Sequence, residues 1–545
     1  MIKRIGLVGL LVICSCKPKQ EEEVNVRPKL IIGVVIDQMR AEYLYRFENN
    51  YSDDGFKRLM SEGFHVKNAH YNYLPTATGP GHSSIYTGTT PANHGIVANE
   101  WYDNKLERVV YCAEDSMVFL ADKFKMYKKV SSFSRSPKKL QVTTITDELK
   151  LFSNGRSKVI GVSLKDRGAI FPAGHLADAA YWYNGLNGKF VTSTYYKEKL
   201  PLWLQEFNNK KIPDSLLGLT WDTLLPIQEY TNSEPDNAPF EKRFIGRKNN
   251  TFPYDLKKIS EKNEGHGLLM EVPQGNTLLT ELVKAAVVGE QLGKGVETDF
   301  LTISYSSTDY IGHHFGIRSK ELEDTYVRMD REIETLLNSL DKEVGKGNYT
   351  LFLTADHGGS DHPPFLVSKK LPGKFYDPQE IKRKLNNYLF EKFGVKQLIS
   401  FMDKTQIYIA DNDLSKEKLY NEIIAYLHTV EGIQEVFAPT LKTQALSNST
   451  LSDFIKNSYH SDESGAILYH MTPGFMEQRM YGTTHGNAST GDTHVPLLWY
   501  GAKIPKGSIV KRINITQIVP SLSFLFNIPL PNRSDRTPIE ELFQD

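Results

Sequence analysis

The sequence predicts an α/β protein built on a doubly wound, mostly parallel central sheet, with helices on both faces and inserted subdomains. Two observations predict it. Four short apolar runs end in polar, chemically able residues: 30–36 before Asp37, 159–164 before Lys165, 300–305 before Asp309, and 350–354 before Asp356. Unbroken apolar runs of this length mark strands buried on both faces, as parallel strands are. Between them lie helix-like segments at 277–292 and 320–339, giving the alternation of a doubly wound fold. In open α/β sheets ligands bind beyond the carboxyl ends of the strands, so the residues that terminate these runs are expected at one edge. A further run, 495–500, is expected as another core strand.

Two stretches depart from the alternation. Residues 171–270 are rich in aromatics and proline, including Tyr181, Trp182, Tyr183, Trp203 and Trp221, and carry little periodicity, so they read as an insertion. Residues 374–469 carry their own helix and strand signals at 378–393, 406–410 and 416–429, and read as a second inserted subdomain. A catalytic domain over 28–545 is therefore expected, long enough to bury a sizeable core.

The first sixteen residues have the charged start (Lys3, Arg4) and short apolar core (5–13) of a secretory signal, too short to span a bilayer. Residues 13–16, Ile-Cys-Ser-Cys, look like a lipobox that would leave Cys16 lipid-modified, followed by a solvated tether over 17–27. Export to the periplasm or outer membrane is expected, with membrane contact only through that lipid. Lys plus Arg (65) balance Asp plus Glu (65), which gives no electrostatic footprint for nucleic acid. Beyond the signal only Cys112 remains, which excludes an internal disulfide framework and a cysteine-based zinc finger.

The metal signal is built from oxygen and nitrogen donors. Asp309 and His313 are four apart, so a helix starting after the strand, with Ser or Thr as its cap, would place carboxylate and imidazole on one face and turn His314 elsewhere. Asp356 and His357 precede Gly358 and Gly359 at a strand tip, and Asp37 ends the first strand. Asp, Asp-x-x-x-His and Asp-His from separate strand ends suit Zn²⁺ without thiolates. Two catalytic metals need about six protein ligands if each keeps an open position, which leaves one imidazole to find. The candidates are His485, in a Gly-containing loop, and His494, which abuts a strand; His485 is preferred.

A nucleophile and an anion clamp complete the set. Residues 73–84 combine the hydroxyls of Thr76 and Thr78 with Pro80, suited to a helix first turn, whose free amides attract anions. Either threonine can act as a cap; next to metal, Thr78 becomes a nucleophile. Lys165 and Arg167 follow a strand, and extended geometry would put both on one face with Asp166 turned away. An ammonium and a guanidinium fork suit the non-bridging oxygens of a phosphoryl group, and Asn99 could donate its amide to another.

These residues, in this order, resemble the alkaline phosphatase superfamily: Asp37, Thr78 in Thr-Gly-Pro-Gly-His, Asp309-x-x-x-His313, Asp356-His357-Gly358 and Thr484-His485-Gly486. With Asn99 and Lys165-x-Arg167 the chain is similar to PafA-type, phosphate-irrepressible monoesterases. The resemblance implies an alkaline phosphatase-like fold and hydrolysis of a broad range of small phosphate monoesters through a phospho-Thr78 intermediate. A monomer is expected, although the sequence does not encode oligomeric state. The resemblance also implies two Zn²⁺ ions, one on Asp309, His313 and His485 at the leaving oxygen, the other on Asp37, Asp356 and His357 activating Thr78. The Asp-x-Ser nucleophile motif of the enterobacterial type is missing, which argues against its third, magnesium site. The competing readings are a nucleotide pyrophosphatase/phosphodiesterase and, from another class, a catalytically inactive surface lipoprotein. A sulfatase is disfavoured because its Cys/Ser-x-Pro-x-Arg signature is missing at Thr78.

Overall fold

In a computed structural model, residues 27–122, 134–441, 450–479 and 481–543 are described. The signal, the lipobox at Cys16 and nearly all of the tether lie outside them. The strands of the central sheet are, in chain order, β1 (Leu30–Ile36), β2 (Phe64–His70), β3 (Val159–Ser163), β4 (Ala179–Asn184), β5 (Lys189–Val191), β6 (Asp299–Tyr305) and β7 (Tyr349–Thr354). Four strands of the 374–469 stretch follow, β8 (Ile399–Met402), β9 (Gln406–Ile409), β10 (Ile433–Phe437) and β11 (Ile467–Met471), and then β12 (His494–Gly501), β13 (Gly507–Ile509) and β14 (Ile513–Asn514). The helices that matter to the site are α1 (Thr78–Thr87), α2 (Asp166–Ala173), α3 (Gln274–Gly289), α4 (Ser307–Phe315) and α5 (Lys320–Leu340).

The ten-stranded sheet has the order β13-β2-β12-β7-β1-β6-β3-β4-β5, with β14 beside β2. Strands β7, β1, β6, β3 and β4 run parallel, and every residue of β1, β6, β7 and β3 is buried. That two-sided burial is why these strands read as unbroken apolar runs rather than as alternation. The run at 495–500 is a core strand, but β12 lies antiparallel to both β7 and β2. Apolar content does not encode direction.

The side chains of β6 show how the two helical layers attach. Phe300 meets Tyr86 of α1 edge-on and Ser304 Oγ bonds His82 of α1, whereas the Tyr305 hydroxyl meets Thr280 of α3 on the opposite face. Successive residues thus serve opposite layers, as the period of two demands. Within the aromatic stretch 171–270, β4 and β5 lengthen the central sheet, so the departure from alternation there does not exclude the whole stretch from the main core. The 374–469 stretch carries a separate four-stranded sheet, order β8-β9-β11-β10, over its own apolar cluster that includes Leu385, Leu389, Ile407 and Ile423.

One close approach fixes α1 against the sheet edge. A Cβ on Gly81 would stand 2.3 Å from the Asp356 carbonyl oxygen and 2.8 Å from its Cβ. Backbone cannot give way as a flexible side chain can, so Gly81→Ala should lower stability by about 1–3 kcal/mol, read as a reduced urea midpoint at unchanged m-value. The same variant should lose activity beyond that fraction unfolded, because it pushes the helix start away from Asp356.

Candidate active site

Three neighbouring strands end together. Register pairs Ile36 with Tyr305 and Val35 with Thr354, so Asp37, Asp309 and Asp356 emerge at one edge, each at most 3% exposed. Asp309 lies in the first turn of α4 and His313 one turn later, with His313 Nε2 3.1 Å from Asp309 Oδ1. The expected helix is present, but its cap is not: Ser306 makes no capping bond, its hydroxyl instead meeting Ser163 at 3.0 Å. Thr308 Oγ1 donates to the Asp37 carbonyl at 2.5 Å, tying α4 to the end of β1.

Three imidazoles converge on these carboxylates. His357 Nε2 is 3.5 Å from Asp37 Oδ1 and 3.6 Å from Asp356 Oδ2, and His485 Nε2 is 3.7 Å from Asp309 Oδ1. The rings of His357 and His485 stack with centroids 3.6 Å apart. His357 Nδ1 donates to the Gly358 carbonyl at 2.8 Å and His485 Nδ1 to that of Thr76 at 2.6 Å. A proton held on Nδ1 leaves the Nε2 lone pair facing the carboxylates, the arrangement that orients histidine ligands. His313 Nδ1 is contacted both by the Thr483 carbonyl (2.7 Å) and by Arg479 Nη1 (2.6 Å). His494 stacks on His70 with centroids 4.5 Å apart and bonds the Lys67 carbonyl, away from this cluster. His314 turns to Glu271 and Phe244.

Two residue groups each gather ligand atoms within 4.8 Å: Asp309, His313 and His485, and Asp37, Asp309 and His357. Asp309 is common to both, whereas Asp356 is held by the Gln38 amide (3.3 Å) and lies 3.3 Å from His82 Nδ1. The donors fit a cation. Asp37 Oδ1, Asp356 Oδ2 and His357 Nε2 are buried without a hydrogen-bond partner, and a bound cation satisfies acceptors that face one another in this way. Burial pushes the Asp37 carboxyl well above the usual range, reinforced by Asp356 and Asp309 and opposed by Lys165. At Asp309 burial pushes the same way, but His313 and Lys165 prevail and hold it well below. Burial also pushes His357 and His485 down, which keeps both imidazoles neutral and able to donate a lone pair.

Lys165 and Arg167 are not on one strand face. Lys165 is the N-cap of α2 and Arg167 its second residue, because the chain turns into a helix directly after β3. Lys165 Nζ bridges Asp37 Oδ2 (2.7 Å) and Asp309 Oδ2 (2.5 Å), where it neutralises two buried acids. Arg167 Nη1 donates to the Tyr111 hydroxyl at 3.0 Å, and its Nε is buried without a partner. Asp166 turns away from the carboxylates to accept from Arg135 Nε at 2.5 Å and from Tyr111.

Thr78 opens α1, behind Ala77 as N-cap; Thr76 instead bonds the Asn487 carbonyl. The start of α1 is tied to the cluster at two points: His485 bonds the Thr76 carbonyl in the loop before it, and His82, within α1 and bonded to the Thr78 carbonyl at 2.9 Å, lies beside Asp356. Asn99 Oδ1 accepts from the Gly79 amide at 2.7 Å, which fixes the amide orientation and leaves its NH₂ available to donate elsewhere. A cavity of about 550 Å³ opens here, lined by Asn99, His313, Lys404, Glu477, Arg479 and His485 among others. Lys404 belongs to the turn between β8 and β9, so the 374–469 subdomain forms one wall of the mouth.

Sequence reasoning missed Gln38. Its φ is +63°, its amide reaches Asp356 and its Nε2 donates to Asp309 Oδ1 at 2.6 Å. Gly312 makes room for it, since a Cβ there would stand 1.9 Å from Gln38 Oε1. The only sequence signal was the glycine inside Asp309-x-x-Gly312-His313, and spacing alone does not say what fills the gap. Tyr111, Arg135, Arg479 and Lys404 left no pattern of their own.

His485→Ala should lower divalent-metal affinity by about tenfold or more, measured as metal retained against a competing chelator, whereas His494→Ala should leave it unchanged. Equal loss in both variants would remove His485 from the ligand set.

Residues 31–495 match the type I phosphodiesterase / nucleotide pyrophosphatase family. The chain is 41% identical over 527 residues to a protein of Myroides odoratus named calcium-transporting ATPase, covering 95% of each chain. It is 40% identical over 548 residues to alkaline phosphatase PafA of Elizabethkingia meningoseptica, covering 98% of each. The crystal structure of wild-type alkaline phosphatase PafA is similar at a TM-score of 0.88 and 39% identity, covering 94% of this chain and 99% of that one. Among the described residues, no helix is long and apolar enough to cross a membrane.

Proposed function

The chain belongs to the type I phosphodiesterase / nucleotide pyrophosphatase family and, within it, to the PafA-type alkaline phosphatases; from that premise we propose that it hydrolyses a broad range of phosphate monoesters with two zinc ions and Thr78 as nucleophile. The observation that carries the reading is the pair of buried ligand groups sharing Asp309 beside the start of α1. Asp309, His313 and His485 would hold one ion, and Asp37, His357 and Asp356 the other. Two zinc ions, when bound, supply Lewis acidity that lowers the pKa of an oxygen nucleophile and offsets charge on the leaving oxygen.

The chain's own groups then have these tasks. Thr78 Oγ1 forms a bond to phosphorus as the ester P–O bond breaks and the alcohol leaves; water later breaks the Thr78 O–P bond and releases inorganic phosphate. Asn99, oriented by the Gly79 amide, donates its NH₂ to a non-bridging oxygen. The free amides of the first turn of α1 favour the same anion. Lys165, at the edge of two ligand carboxylates, and Arg167, whose buried Nε lacks a partner, supply positive charge that stabilises a monoester dianion better than a diester. The Lys404 and Arg479 side of the cavity receives the leaving group. We place the mature protein outside the cytoplasm, in the periplasm or at the outer membrane, with a lipid at Cys16 as a membrane anchor, on the signal and lipobox pattern of residues 1–16.

Thr78→Ala should lower monoester kcat/KM by about a thousandfold or more, about 4 kcal/mol, while two zinc ions per chain remain bound. Wild-type turnover in that variant would move the nucleophile elsewhere. Removing Lys165 and Arg167 together should reduce monoester kcat/KM by several orders of magnitude and that of the matching methyl diester far less. An equal fall for both would favour the phosphodiesterase reading.

A further inference from the structure

One short hairpin reaches both Asn99 and Arg167. Its strands, Glu100–Asp103 and Arg108–Tyr111, pair antiparallel with Glu100 opposite Tyr111, and just beyond that pair the Cys112 amide donates to the Asn99 carbonyl at 2.9 Å. Asn99 and Tyr111 therefore leave the hairpin side by side. Asn99 accepts from the Gly79 amide at the start of α1, and Cys112 packs at the same place: a Cβ on Gly79 would stand 3.2 Å from Asn99 Oδ1 and 3.3 Å from Cys112 Sγ. Tyr111 turns to α2 instead.

At α2 the Tyr111 hydroxyl stands between a cation and an acid. It accepts from Arg167 Nη1 at 3.0 Å and donates to Asp166 Oδ1, which also accepts from the Arg167 amide at 2.6 Å. A phenol has one proton to give, and burial, opposed by Arg167 and reinforced by Asp166, pushes its loss well above the usual range, so the hydroxyl keeps both bonds at once. Arg135 closes the arrangement. Its Nε donates to Asp166 Oδ2 at 2.5 Å, and its guanidinium lies over the Tyr111 ring, 4.3 Å from the centroid. Both the hydroxyl and the ring of Tyr111 are thus held, and what they hold in turn is one corner of the Arg167 fork. With Nη1 spent on Tyr111, the edge formed by Nε and Nη2 remains, and that edge carries two parallel N–H bonds suited to two non-bridging oxygens. Nε is buried without a partner.

We propose that Tyr111 is a positioning residue that sets the preference for monoesters through Arg167, with Asp166 and Arg135 holding its hydroxyl and ring in place. The inference rests on the reading above in which Arg167 meets the phosphoryl group. Lys165 is fixed differently, by Asp37 and Asp309, so Tyr111 governs one cation of the pair and leaves the other where it is. A guanidinium displaced by about 1 Å keeps its charge but no longer presents two bonds in parallel, and a monoester dianion loses more by that than a diester. The competing account is that Tyr111 only ends the hairpin and packs under Arg135, a role its ring performs without the hydroxyl.

The test uses full-length, zinc-loaded protein and Tyr111→Phe, which keeps the ring under Arg135 and leaves Asp166 its bonds from the Arg167 amide and from Arg135. Monoester kcat/KM should fall about ten- to a hundredfold and that of the matching methyl diester by less than about threefold. Inorganic phosphate, followed by calorimetric titration, should bind about tenfold more weakly, at unchanged zinc content. In an Arg167→Ala background, Tyr111→Phe should cost nothing further in monoester turnover, because the group it positions is gone. Asp166→Asn, which weakens the anchor of the hydroxyl, should move the selectivity in the same direction, and it carries the test if Tyr111→Phe does not fold. Unaltered selectivity and phosphate affinity in Tyr111→Phe, or a loss of the same size with and without Arg167, would overturn the role and leave the packing account. Arg167→Ala alone reports on the clamp: an equal fall for monoester and diester there would remove Arg167 from the proposed function, and the role of Tyr111 with it.

Discussion

Three carboxylates buried at the end of three adjacent strands are the constraint on which the rest of the molecule depends. Asp37, Asp309 and Asp356 face one another with almost no exposure, and in a low-dielectric interior like charges this close cannot all persist without a cation between them. The sheet is built to hold them there regardless. Strands β7, β1 and β6 are buried on both faces, and their parallel register brings the acids to one edge. Lys165, from the end of the next strand, bridges two of the three.

The neutral donors are placed by backbone rather than by side chains. His357 and His485 each give Nδ1–H to a carbonyl, one in its own turn and one in the loop before α1. That second bond couples the loop carrying His485 to the segment carrying Thr78, so the histidine cluster and Thr78 are positioned by the same contact. Gln38 does related work from the other side, reaching Asp356 with its amide and Asp309 with its side chain. Its left-handed backbone is an unfavourable conformation for a residue with a side chain, retained where the surroundings hold it.

The insertions divide the remaining tasks. The 374–469 subdomain has its own core and can therefore present Lys404 at the mouth of the cavity without disturbing the sheet. The 236–254 segment backs the helix that carries Asp309 and His313, and so supports their placement through packing.

By itself the sequence determined the strands and helices that carry the site. The apolar runs at 30–36, 300–305 and 350–354 are strands within a residue at each end, because two-sided burial leaves a continuous hydrophobic signature. Asp309 and His313 share a helix face because an i,i+4 spacing allows little else once the segment is helical. What the sequence could not carry was direction and long-range company. Strand β12 has the same apolar content whether it runs parallel or antiparallel. Lys165 and Arg167 would share a face only in extended chain, and a helix begins between them, with Lys165 at its N-cap position. The choice of His485 over His494 was open to local reasoning, since both follow a threonine and precede a strand or loop; only packing sends one ring to the carboxylates and the other to His70. Gln38, Tyr111 and Arg479 depend on contacts between residues far apart in the chain, and no local period or spacing encodes those: tertiary structure decides them, because burial and charge are properties of the assembled interior.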